Sequence, residues 1–285
     1  YDKKKPLNSR MGHCFRMDIQ KAFDLVEDLK PPKIIREAEI RENIITFDGT
    51  TGLDRLCNLL RDAQSAPIKS IDLETKGLRP YSAGAAIMSA AISFGTTNFS
   101  FALDHPKARW DKTARELLLE RLASILKDNT LKVAHNAPFE IEWLIWLLGK
   151  EVVNHTAWEC TMMQAHFLDE RKGKYREDDS KASRYQGLDF LINQHFGIKF
   201  KSTFKLDKKD MSKSDLGEVL VYNAVDTKLT LPLYYRQLQL LKAEGLLDAY
   251  HESIVRQPTV ALMQSLGVPV DQKAVKAAQA RLQPD

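Results

Sequence analysis

Residues 68–78 read Ile-Lys-Ser-Ile-Asp-Leu-Glu-Thr-Lys-Gly-Leu, and the conformation of this stretch decides the fold around it. The run from Ile68 to Glu74 has the aliphatic content of a β-strand and follows a helix breaker, Pro67. Alternation along such a strand sends Asp72 and Glu74 to one face, with Cα atoms about 6.6 Å apart, and Ile71 and Leu73 to the other. Two carboxylates then converge on one point. On a central strand that pair is costly unless a divalent cation neutralises it; on an edge strand it is two solvated acids. Upstream, Ile44 to Phe47 reads as a strand, Asp48 to Gly52 as a turn, and Leu53, Leu56, Leu59 and Leu60 as a helical stripe. Downstream, Ala86 to Phe94 and Asn98 to Leu103 are strand-like and joined by Gly95-Thr96-Thr97, which makes a hairpin. Apolar positions from Ala114 to Leu126 recur at helical spacing, Leu131 to Ala134 is a short strand, and Phe139 to Leu148 a helix with Pro138 in its first turn. Five strands with interleaved helices predict an α/β fold built on a five-stranded sheet.

The 285 residues are 44% hydrophobic and 28% charged, which excludes a disordered or fibrous chain. Forty-two basic against 38 acidic residues leave a net charge of +4, too little to announce a nucleic-acid binder by itself, so the distribution of charge matters more. Residues 171–186 hold six basic and three acidic residues, and 199–213 six and two. A neutral-to-acidic body with two basic segments is the layout expected where carboxylates do chemistry and loops hold phosphates, although solvated charge runs read the same way. The uncharged stretch Pro80 to Leu103 is broken by Gly84, Gly95 and Asn98, so no membrane span is expected. Three cysteines without a Cys-x-x-Cys pair indicate neither a disulfide framework nor structural zinc, and fit a reducing, intracellular compartment. The chain starts at Tyr1 with no signal-peptide pattern and reads as a piece of something longer. Residues 1–42 read as an extension or linker around a helix near Ile19 to Leu29, 43–245 as the main domain, and 246–285 as a truncated helical segment. From Gln272 onward that segment lacks the large apolar residues to bury a face alone.

Two further constellations carry polar chemistry. In Ala134-His135-Asn136-Ala137-Pro138-Phe139-Glu140 a strand end turns into a helix, where side chains gather at a sheet's carboxyl edge. Glu140 falls in the first helical turn, where an acid also serves the helix dipole; Glu142 lies about 200° away around the helix. His135 reads equally as a satisfied strand-end histidine. In Tyr222-Asn223-Ala224-Val225-Asp226, inside a helix starting near Ser212 or Ser214, Tyr222 and Asp226 stack at i and i+4, a spacing that a core tyrosine and a surface aspartate also satisfy.

Taken together, D-x-E at Asp72 and Glu74, N-x-x-F-E at Asn136, Phe139 and Glu140, and Y-x-x-x-D at Tyr222 and Asp226 resemble, in order and spacing, the motifs of the DEDDy exonucleases of the ribonuclease H-like superfamily. The similarity runs from the Asn43 strand to Tyr235. From Glu252 to Asp271 the chain resembles the segment that leads from the proofreading domain into the polymerase thumb of family A DNA polymerases. The resemblance implies a ribonuclease H-like mixed five-stranded sheet and a 3′→5′ exonuclease that releases 5′-monophosphates from single-stranded DNA with two divalent cations, Mg²⁺ or Mn²⁺. It implies Asp72 bridging the metals, Glu74 and Asp226 on one, Glu140 on the other, and Tyr222 orienting water. It also implies Leu78 and Phe139 wedged against terminal bases, Asn136 on the strand, and a polymerase domain as partner. The family's second motif usually carries Asp, so Glu140 is a departure. An exoribonuclease of the ribonuclease D type shares the same motifs, and an inactive single-strand-binding scaffold shares the fold.

Overall fold

A computed structural model describes residues 19–20, 23, 37–152, 157–170, 185–200, 203–207 and 210–282. Of the first 34 residues only Ile19, Gln20 and Phe23 are described, so the helix expected over Ile19 to Leu29 lies largely outside the described residues, as does most of the basic segment 171–186. Residues from Ile35 onward form one compact unit.

The sheet is the organising element. Its strands are β1 (Ile44–Phe47), β2 (Ile68–Lys76), β3 (Ala86–Phe94), β4 (Thr97–Ala102), β5 (Leu131–Ala134) and β6 (Ala157–Cys160), in the order β1-β4-β3-β2-β5-β6. β2, β3 and β4 form an antiparallel meander, while β1 joins β4 and β5 and β6 extend from β2 in parallel. The mixed α/β class is therefore as expected from the sequence. The strand number is not: six strands replace five, because Ala157-Trp158-Glu159-Cys160 pairs with β5 at the sheet edge, and four residues are too few for alternation to register. β2 occupies an interior position, so its two acids are not those of an edge strand.

Helices α1 (Glu37–Arg41), α2 (Leu53–Ser65), α3 (Lys112–Lys127), α4 (Ala137–Leu148), α5 (Thr161–Leu168), α6 (Leu188–Phe196) and α7 (Leu216–Ala243) flank the sheet. They are followed by α8 (Leu247–Ile254), α9 (Gln257–Leu266) and α10 (Gln272–Leu282). Two expected boundaries shift. The Tyr222 helix starts after Asp215, whose side chain accepts from the Glu218 N–H at 3.3 Å; Ser212 and Ser214 belong to a preceding 3₁₀ turn and its end. The helical segment expected over 246–285 is broken at Val255 and Arg256, because Pro258 opens a new first turn.

Each face of the sheet has its own core. Ile71 and Leu73 join Ile92, Phe99 and Phe101 under Leu56 and Leu60 of α2 and Leu118 and Leu122 of α3. Tyr250, Ile254 and Ala261 of α8 and α9 belong to that same cluster, whereas α10 buries no residue. The other face lies against α7, whose Val219, Tyr222, Val225 and Leu229 pack with Met88 and with Leu191 and Ile192 of α6. No described helix is long and apolar enough to cross a membrane.

Candidate active site

The face turned to α7 is made of small polar residues. Ser70, Ser89, Ser93 and Ser100 are all buried there. Ser70 Oγ donates to the Thr227 carbonyl at 2.8 Å, Ser93 Oγ to Thr227 Oγ1 at 2.9 Å, and Ser100 Oγ to the Leu220 carbonyl at 2.7 Å. Short side chains let the helix backbone approach the strands, and each hydroxyl finds an acceptor, which a buried hydroxyl requires. That close approach brings α7 against β2. Asp72, Glu74 and Asp226 each offer a carboxylate oxygen, and these oxygens lie within 4.8 Å of one another.

The second motif arrives from β5. Asn136 adopts a left-handed backbone with φ 91°, which Asn tolerates better than most residues, and the chain turns there into α4 with Pro138 in the first turn. Glu140 is buried, and one of its oxygens, Oε2, has no hydrogen-bond partner among the described residues. Burial and then the charges of Asp72, Glu74 and Asp226 push its carboxyl well above the usual carboxylate range. Glu142, by contrast, turns away and takes an ion pair from Arg79 at 2.6 Å.

A cleft of about 470 Å³ gathers the residues picked out by sequence: Asp72, Glu74, Leu78, Asn136, Phe139, Glu140, Tyr222 and Asp226 all line it. His135 lines it as well, with Nδ1 2.8 Å from Thr161 Oγ1. The Tyr222 ring meets Phe204 edge-on at 5.1 Å, and Phe204 in turn lies under the Arg41 guanidinium at 4.3 Å.

Sequence reading missed Asn223. Its Nδ2 donates to Asp72 Oδ2 at 2.6 Å while its Oδ1 accepts from Ser89 Oγ at 3.0 Å, so the amide is oriented from both ends. The signal was present: Asn223 continues the apolar stripe of Val219 and Leu220, and a wholly buried amide on such a stripe demands polar partners. Met162, Leu188 and Met211 also line the cleft, and nothing in their sequence context marks them.

The donor set suits a hard divalent cation. Oxygen ligands converge, their like charges repel, and the buried Glu140 oxygen lacks the partner that a metal or a metal-held water supplies.

Residues 44–241 match the family described as 3′-5′ exonuclease, over more than half of the chain. No curated protein sequence matches the chain significantly. Among solved structures, Brucella melitensis NrnC bound to pGG aligns with a TM-score of 0.55 at 17% identity, over 79% of this chain and 94% of that one. The same protein has also been solved with bound Mg²⁺. Escherichia coli RNase D, an exoribonuclease involved in structured RNA processing, gives 0.56 at 15% identity, over 78% of this chain and 51% of that one. The catalytic core of RRP6 from Trypanosoma brucei gives 0.53 at 20% identity, over 86% of this chain and 60% of that one. At these identities the likeness is one of fold.

Proposed function

The chain belongs to the 3′-5′ exonuclease family, and from that premise we propose that it removes 3′-terminal nucleotides from single-stranded DNA as 5′-monophosphates, as the proofreading domain of a family A DNA polymerase acting inside the cell. The observation that carries the chemistry is the convergence of Asp72, Glu74 and Asp226 beside a buried Glu140 in one cleft.

In this reading Asp72, Glu74 and Asp226 would hold divalent metal, Mg²⁺ or Mn²⁺, and Glu140 would help hold a second ion through water. When bound, such a pair supplies a hydroxide at neutral pH and offsets the charge of the phosphate. The rest is work for the chain's own residues. Tyr222, fixed by Phe204, orients the attacking water with its phenol. Leu78 and Phe139, both lining the cleft, wedge the terminal bases and tolerate any sequence, because every base offers a π-face. Asn136 donates to the strand from its turn position. Asn223 keeps Asp72 in one rotamer, so a ligand oxygen is in place before the ion arrives.

An exoribonuclease of the ribonuclease D type is the second reading, favoured by the fold likeness to RNase D and RRP6. The C-terminal segment from Glu252 to Asp271 favours DNA. Incubating 5′-labelled DNA and RNA oligonucleotides of one sequence with Mg²⁺, Mn²⁺ or EDTA separates them. Stepwise 3′ shortening of DNA in metal alone supports the first, a strong RNA preference the second, and binding without shortening an inactive scaffold.

A further inference from the structure

Beyond the cleft mouth, the segment between β2 and β3 runs alongside α4. Leu78 and Phe139 both line the cleft; Arg79 pairs with Glu142 at 2.6 Å; Tyr81 meets Trp146 with ring centroids 6.4 Å apart. Phe139 and Trp146 are seven residues apart, hence within about 20° of each other around the helix and roughly 10 Å apart along it. Segment and helix therefore march together, contact by contact, away from the carboxylates. Pro80 is buried beneath this strap, and the Ser82 N–H donates to the Arg79 carbonyl at 3.2 Å, so the strap is anchored in its turn. The large side chains of strap and helix nevertheless face water: Leu78 is 81% exposed, Tyr81 55% and Trp146 58%.

We propose that Tyr81 and Trp146 form a second stacking platform, which holds the bases upstream of the 3′-terminal nucleotides of a single strand. The proposal rests on the exonuclease reading and extends its binding track. Continuity with the cleft fixes the occupant: a strand whose 3′ end lies between Leu78 and Phe139 leaves along this strip. Ten ångströms at the stacked spacing of about 3.4 Å puts the platform some three nucleotides from the wedge. The chemistry agrees, since an exposed Tyr–Trp pair beside a half-exposed Arg79 suits π-faces and phosphates better than the aliphatic surface of a protein partner.

The test is length dependence. Initial rates on 5′-fluorescein oligothymidylates of two and six nucleotides, and on matching oligouridylates, would be measured in Mg²⁺, with binding followed by anisotropy in EDTA. Trp146→Ala should raise KM for the hexamer about tenfold, the lower range of one base stack, while moving the dinucleotide KM by less than twofold and kcat much less than KM. Trp146→Phe should restore most of the hexamer affinity. Tyr235→Ala, an exposed aromatic on α7 about 20 Å beyond Tyr222, serves as control. A wild type that neither binds nor shortens any oligomer would overturn the exonuclease reading itself. A wild type that shortens all of them, with Trp146→Ala and Tyr81→Ala matching it at both lengths, would overturn the platform alone. A wild-type dimer lost in Trp146→Ala, with KM values unchanged, would give the face to a second copy and also overturn it.

Discussion

The two faces of the central strands differ in one residue step and in everything that follows from it. On one, register aligns Ile71 with Ile92 and Phe99, and Leu73 with Ala90 and Phe101, three strands deep and all apolar. On the other it aligns Asp72 with Ala91 and Ser100, and Glu74 with Ser89. The first face is held by burial of bulk, the second by small side chains and hydrogen bonds that draw α7 close. The strands bury bulky side chains on the apolar face, and hold charge on the polar one. Because the strand period is two, a single run of residues supplies both.

The separation can be broken from either side. Asp72→Ala with Glu74→Ala should lower the cleavage rate by at least about a thousandfold while moving the melting temperature little, because relief of repulsion among the acids offsets the hydrogen bond that Asn223 loses. A double variant with the parental rate would remove the polar face from the chemistry. Phe101→Ala on the opposite face should cost about 3–5 kcal/mol of stability in a denaturant titration, yet leave the rate per folded molecule near the parental value. A matching loss of rate would show that the faces are not separable.

Two finer experiments sharpen the contrast. Asn223→Ala should raise the Mg²⁺ concentration for half-maximal rate by roughly tenfold, as removing a partner that orients a metal ligand commonly does. An unchanged requirement would leave Asn223 a packing residue. The smallest effect concerns pH. Burial and the neighbouring acids raise the folded-state pKa of Glu140 above its unfolded value, so the folded metal-free protein holds that proton more tightly. The associated stability is complete below the unfolded pKa and is lost as pH rises through the folded one. Metal-free protein should therefore lose stability, read as a falling melting temperature, as pH rises above the ordinary carboxylate range, and Glu140→Gln should flatten that slope. An identical slope in the variant would assign the dependence elsewhere.

Alternation along β2 was enough to read both faces from the sequence, because strict period two leaves no other way to bury Ile71 and Leu73. The turn into α4 was legible as well, through Pro138 and the acid that follows it. The serines facing α7 were not: a hydroxyl in a strand says nothing about which acceptor will meet it, and these acceptors lie well over a hundred residues away. Asn223 escaped because spacing arguments attend to the ends of Y-x-x-x-D, not to the residue a third of a turn further on. β6 escaped because four residues carry too little pattern, and the start of α7 because two serines compete with Asp215 as caps.

If the polar face, and not merely the cleft around it, is built to hold divalent cations, its acids alone should set metal affinity. Titrating metal-free protein with Mn²⁺ by calorimetry tests it without reference to any substrate. The wild type should bind Mn²⁺, and Asp72→Ala with Glu74→Ala should weaken that binding by at least about a hundredfold while circular dichroism stays unchanged. Equal Mn²⁺ affinity in the two proteins would contradict the account.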